Sequence, residues 1–173
     1  MRNNDRAFER AMALAALSGL KIALGPAFLA TARRWPSRQN WVMAAMGEML
    51  FDKLKVFPPR YRPSLLIPHS LMGAWVARES LREDGQDDPW AAVAGGMVAA
   101  GVAVAAPIVR TTINKVMGIP DPVLGLAEDY LALSYGTRVM EMPMDEITGA
   151  AREMFDDMRE RARPALESMG IGS

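Results

Sequence analysis

Glu48 and Asp52 stand four residues apart, with Lys53 and Lys55 close behind, and Glu128 and Asp129 are adjacent. On a helix, positions i and i+4 share a face, so the first two carboxylates point the same way and Lys55 continues that face at i+7. Adjacent residues diverge by about 100° around a helix, so Glu128 and Asp129 look toward different neighbours. Lys21 is the one charge in the otherwise apolar stretch Ala11–Ala32. Lys21, Glu48, Asp52, Lys53, Glu128 and Asp129 are therefore the candidate ion- or solute-binding residues. Carboxylates withdrawn from water bind a proton or a cation, and a lysine beside them sets how readily they do so. The competing reading is a structural network in which Lys21 or Lys53 meets Glu48, Asp52 or Glu128 and holds short helices together.

Other chemistry is poorly provided for. There is no cysteine and a single histidine, so thiolate nucleophiles, disulfides and the common zinc sites are excluded. No Gly-x-Ser-x-Gly elbow, P-loop or GxGxxG stretch occurs, and neither enzymatic activity, a metal nor a cofactor is expected. Asp84-Gly85-Gln86-Asp87-Asp88 resembles the start of a calcium loop, but Gly95 stands where a bidentate Glu would close it. His69, after Pro68 in apolar surroundings, reads as a hydrogen-bonded packing residue. Equal numbers of basic and acidic residues remove the electrostatic footprint of nucleic-acid binding.

The elements that must position these residues are helices. Pro89–Val109 is uncharged, apolar all round and rich in Ala and Gly, long enough to cross a hydrocarbon core of about 30 Å. Gly95, Gly96 and Gly101 suit close helix–helix approach. Ala11–Ala32 reads as a second membrane helix; a signal peptide is the alternative, with Lys21 interrupting its apolar region. Asn40–Val56, Pro63–Ala77 and Ile119–Thr137 are weaker segments that must face one another, line a wet cavity, or be short or re-entrant. Trp35, Trp41, Trp75 and Trp90 fall at or near segment ends, as interfacial anchors do. From Met140 the chain becomes charged, with Ile147, Ala151, Met154, Met158 and Ala162 at helical spacing. The expected fold is thus all-α: a polar segment over residues 1–10, a polytopic membrane domain of about five short segments over 11–137, and an extramembrane amphipathic helix over 138–173. That acidic tail is expected to pack on the body of the protein, on a second copy or on another membrane subunit.

Ser18-Gly19-Leu20-Lys21, Pro26, Arg33 and Gly47–Asp52 are echoed by Ala100-Gly101-Val102, Pro107, Arg110 and Gly125–Asp129. With five segments the two copies run oppositely across the bilayer, as in transporters built from inverted repeats; the alternative is chance recurrence in an Ala-rich chain. If the repeat holds, Glu48/Asp52 and Glu128/Asp129 converge on one site. Ser18-Gly19-Leu20-Lys21, Gly47-Glu48 through Asp52-Lys53, Pro58-Pro59-Arg60 and Glu128-Asp129 resemble the DUF4126 family of bacterial integral membrane proteins, over roughly residues 11–136. The resemblance implies a multi-pass protein of the bacterial inner membrane and carries no activity with it. A small transporter or channel-like protein for an ion or small solute is the functional expectation, with a non-catalytic assembly subunit of a larger membrane complex as its alternative. Basic residues divide nine to six between the two sides under this topology, a weak bias toward a cytoplasmic N-terminus.

Overall fold

The computed structural model describes residues 2–53, 63–149, 151, 152 and 156, and among them the side chains of 4–51, 66–149, 151, 152 and 156. These residues are all-α, with no strand among them: α1 (Arg2–Leu20), α2 (Leu24–Ala32), α3 (Arg38–Lys53), α4 (Pro63–Glu83), α5 (Pro89–Met117) and α6 (Asp121–Val139). Residues 144–149 are helical as well.

Ala11–Ala32 is two antiparallel arms, which corrects the expectation of one membrane helix. Arg10 on α1 and Arg33 just past α2 hold the two oxygens of the same Asp84 carboxylate, so α2 returns to the end from which α1 set out. The turn lies at Lys21–Ala23. Pro26 lacks the N–H that would have continued α1 through this point, which favours a break just before it. Gly25 lets the arms close: a Cβ there would sit 2.2 Å from Ser18 Oγ and 2.4 Å from the Leu14 carbonyl oxygen. Leu24 through Thr31 are all buried, making α2 the centre of the bundle. At nine residues, α2 rises only about 13 Å, well short of a hydrocarbon core.

The remaining helices wrap this hairpin. α3 runs from the open end, where Trp41 and Trp35 both contact the Trp75 ring at 5.8 and 6.1 Å, toward the hairpin tip, where Glu48 sits. Three of the four tryptophans thus form one cluster, while Trp90 at the start of α5 is exposed. α4 and α5 cross closely because each presents glycine: a Cβ on Gly95 would lie 2.6 Å from the Gly73 carbonyl oxygen. Gly96 also faces α4, whereas a Cβ on Gly101 would meet nothing within 4 Å. α5 starts sharply, with Asp88 accepting a hydrogen bond from the Trp90 N–H and Pro89 in the first turn, and stops at Gly118 in the left-handed conformation. α6 runs back past the hairpin, and Gly136 leaves room for the Phe28 ring.

Two expected boundaries do not coincide with structural ones. The polar residues before Ala11 belong to the same helix as the apolar ones after it, and Ala7 is buried. Met142 and Ile147, just inside the expected extramembrane tail, join the core cluster.

The packing makes opposite predictions for two glycines. Gly25→Ala is expected to destabilise the fold by about 1–3 kcal/mol, because backbone at Leu14 must move to admit the methyl. Gly47→Ala, on α3 with open space around it, is expected to stabilise by about 0.5–1 kcal/mol through helix propensity alone. Parallel thermal melts of the two variants check both signs.

Candidate functional site

The turn at Lys21–Ala23 frees backbone groups inside the bundle, and the sequence-predicted residues collect on it. Glu48 accepts hydrogen bonds from the Ile22 N–H at 2.9 Å and the Ala23 N–H at 2.7 Å. Its carboxylate caps the start of α2, where the helix dipole favours a negative charge. On the other side of the break, the Ser18 carbonyl accepts a hydrogen bond from His69 Nδ1 at 2.7 Å. A carbonyl only accepts, so Nδ1 carries the hydrogen. His69 is buried and serves the expected packing role, here with a defined task. Lys21, 3% exposed, directs Nζ to Asp129 Oδ1 at 3.4 Å. Glu48 and Asp129 therefore approach neighbouring residues of one turn from opposite helices, α3 and α6.

Glu128 turns elsewhere, as its 100° divergence from Asp129 requires. Arg110 on α5 donates through Nε to Asp121 Oδ1 at 2.8 Å and through Nη2 to the Asp121 carbonyl at 3.1 Å. Its Nη1 lies 3.7 Å from Glu128 Oε2. Asp121, Gly125 and Glu128 follow the i, i+4, i+7 pattern of one helix face. The bare Cα of Gly125 seats the guanidinium, which passes 3.0 Å from where a Cβ would be. The structure thus divides the six candidates: Lys21, Glu48 and Asp129 converge on the hairpin tip, and Glu128 joins Arg110. Asp52 and Lys53 have helical backbone on α3, and their side chains lie outside the described ones, as do Lys55 and the Pro58-Pro59-Arg60 motif. Arg110 and Asp121 are functional candidates that reasoning from sequence missed. Their signal was the lone Arg interrupting an apolar helix eleven residues before an acid.

An open cavity of about 500 Å³ runs along α5 and α6. It is lined by Leu17 and Leu20 at the end of α1, by residues from Val102 to Ile113 of α5 and by residues from Leu124 to Tyr135 of α6, with Arg110 and Glu128 as its charged members. Among the described residues no group of three or more His, Asp or Glu is placed to hold a metal ion. The Asp84–Asp88 loop spends its carboxylates otherwise: Asp84 on Arg10 and Arg33, Asp87 on Arg78, Asp88 on the α5 cap.

No protein-family model, curated protein or solved structure matches this chain.

Proposed function

We propose that this chain is an integral membrane protein that takes a small solute into the cavity between α5 and α6 and acts as a small transporter. The observation that carries the proposal is that cavity, an open and largely apolar groove with Arg110 and Glu128 in its wall, beside the end of α1 where the hairpin turns. Discontinuous helices with a buried, capped break are a recurring way to build solute sites at membrane depth.

The membrane setting rests on the outer surface. α5 is long and apolar enough to cross a membrane, and only 17% of its most apolar stretch is buried within the protein. A core helix of a water-soluble bundle would be mostly covered. Val93, Met97, Val104, Ile108 and Val116 on α5 are exposed, alongside Ile67 and Leu71 on α4 and Val123 and Leu126 on α6. Apolar surface this continuous marks contact with lipid or with partner subunits. In this reading α4, α5 and α6 span, the α1–α2 hairpin re-enters from one side, and the resemblance to DUF4126 membrane proteins belongs to the same proposal.

The hairpin also sharpens the orientation. Among the described side chains, it gathers Arg6, Arg10, Arg33, Arg34, Arg38, Arg78, Arg82 and Arg138 at the open end, against Arg110 and Lys115 toward the other. The positive-inside tendency then puts the open end in the cytoplasm. Single cysteines introduced at Ser37 and at Thr112 are expected to label from opposite sides of intact cells, Ser37 only after permeabilisation. Labelling of both from outside, or full release of the protein from membranes by carbonate, would overturn the membrane reading.

The assembly-subunit reading keeps one observation of its own. Glu48, Asp129 and Lys21 all hold partners within the protein, and Glu48 is not among the residues of the cavity wall. A purely inorganic ion would find those groups already engaged. Stable co-purification with a fixed stoichiometric partner, together with no flux in vesicles, would favour this reading.

A further inference from the structure

The groups around Asp84 are left with donors to spare. Arg10 from α1 and Arg33 from the end of α2 each spend Nη2 on one oxygen of its carboxylate. The Nε of Arg10 and the Nε of Arg33 are enclosed by protein, and neither meets an acceptor among the described residues. Asp84 follows the last residue of α4, and Ser80 precedes it by four positions, which turns both toward the hairpin. Ser80 is fully buried, and its hydroxyl likewise has no partner among the described residues. Buried N–H and O–H groups in folded proteins are almost always hydrogen-bonded. Three such donors gathered around a single carboxylate mark a place built to receive an acceptor.

The charge of the cluster selects that acceptor. Two guanidinium groups against one carboxylate leave a formal charge of +1. The neighbouring acids are engaged elsewhere: Glu83 accepts from Trp35 Nε1 at 3.2 Å on the surface, and Glu79 lies 3.6 Å from Arg82. A water molecule would accept from these donors and leave the charge uncompensated, whereas a monovalent anion accepts from them and neutralises it. Asp84 already holds both Nη2 groups, so a carboxylate or phosphate would have to displace it. A monatomic ion can sit against the Nε and hydroxyl groups without doing so. The side chains of Arg10 and Arg33 are 29% exposed, so an ion can arrive from the water at the open end.

We infer that Arg10, Arg33 and Ser80 form a site for a chloride-sized anion that fastens both feet of the α1–α2 hairpin to α4. The site stands apart from the α5–α6 cavity and is independent of the solute reading. The test uses the full chain in a neutral detergent, with sodium chloride exchanged for sodium gluconate at constant ionic strength. Circular dichroism is expected to show a saturable rise in Tm of about 3–6 °C as chloride replaces gluconate, with bromide acting alike. Arg33→Lys keeps the charge and loses the Nε donor, and Ser80→Ala loses the hydroxyl. Each is expected to remove most of that rise, while Arg34→Lys, on an exposed neighbour, retains it. Equal Tm in chloride and gluconate would overturn the site, as would a chloride effect that survives both substitutions. Should either variant fail to fold, chloride NMR on the unaltered protein decides: line broadening that bromide reverses and gluconate does not is expected. Its absence would mean that water alone meets these donors.

Discussion

Lys21→Met is expected to lower stability by about 3–5 kcal/mol, because it strips the buried cation from Asp129 and leaves that carboxylate in a site where charge is poorly hydrated. Lys21 and Asp129 are 3% and 7% exposed, and their contact is 3.4 Å. The magnitude reflects a broken pair more than the worth of the pair itself. Lys21→Met combined with Asp129→Leu removes both charges and supplies apolar volume, and is expected to recover most of the loss. Denaturant titration in micelles, followed by tryptophan fluorescence from the Trp35–Trp41–Trp75 cluster, gives the three free energies. A single variant less than 1 kcal/mol below the parent, or a double variant no better than the single, would show that the hairpin tip does not depend on this pair.

Glu48→Ala is expected to cost about 2–5 kcal/mol, since it removes the acceptor of two backbone N–H groups at once, each worth about 1–3 kcal/mol when left unsatisfied. The Ile22 and Ala23 amides bond the Glu48 carboxylate in place of carbonyls four residues back, because the chain turns there. Glu48→Gln keeps one oxygen for one amide and presents an NH₂ to the other, so an intermediate loss is expected. Glu146→Gln, on an exposed residue after α6, is expected to stay within about 0.5 kcal/mol of the parent. Amide hydrogen exchange adds a local readout: Ile22 and Ala23 should lose protection in Glu48→Ala before the middle of α4 does. Unchanged exchange at those two amides would mean that Glu48 is not their cap.

The helical class and the apolar run at the heart of α5, with its start at Pro89, were legible in the residues, because each depends on neighbours within a few positions. The end was not, since α5 continues past the expected Val109 to Met117. The candidate acids were legible too, since a charge within an apolar segment is conspicuous wherever the segment goes. The divergence of Glu128 from Asp129 follows from helix geometry alone, and the structure realises it as two separate partners, Arg110 and Lys21.

The path of the chain was not legible. Ala11–Ala32 has the length and composition of a single helix, and hydropathy does not distinguish one span from a hairpin of two short arms. What turns it is packing: Gly25 against Leu14 and Ser18, two arginines on one Asp84, and Glu48 arriving from α3 to hold the exposed amides. Arg110 was equally opaque, because its role requires α6 to run back alongside α5. Composition and local spacing therefore determined that this protein is made of helices, which of them are apolar and which residues carry charge among them. Only the tertiary structure decided which charges meet, because ion pairing and backbone capping act over about 3–4 Å between elements far apart in the chain, a separation that no sequence period encodes.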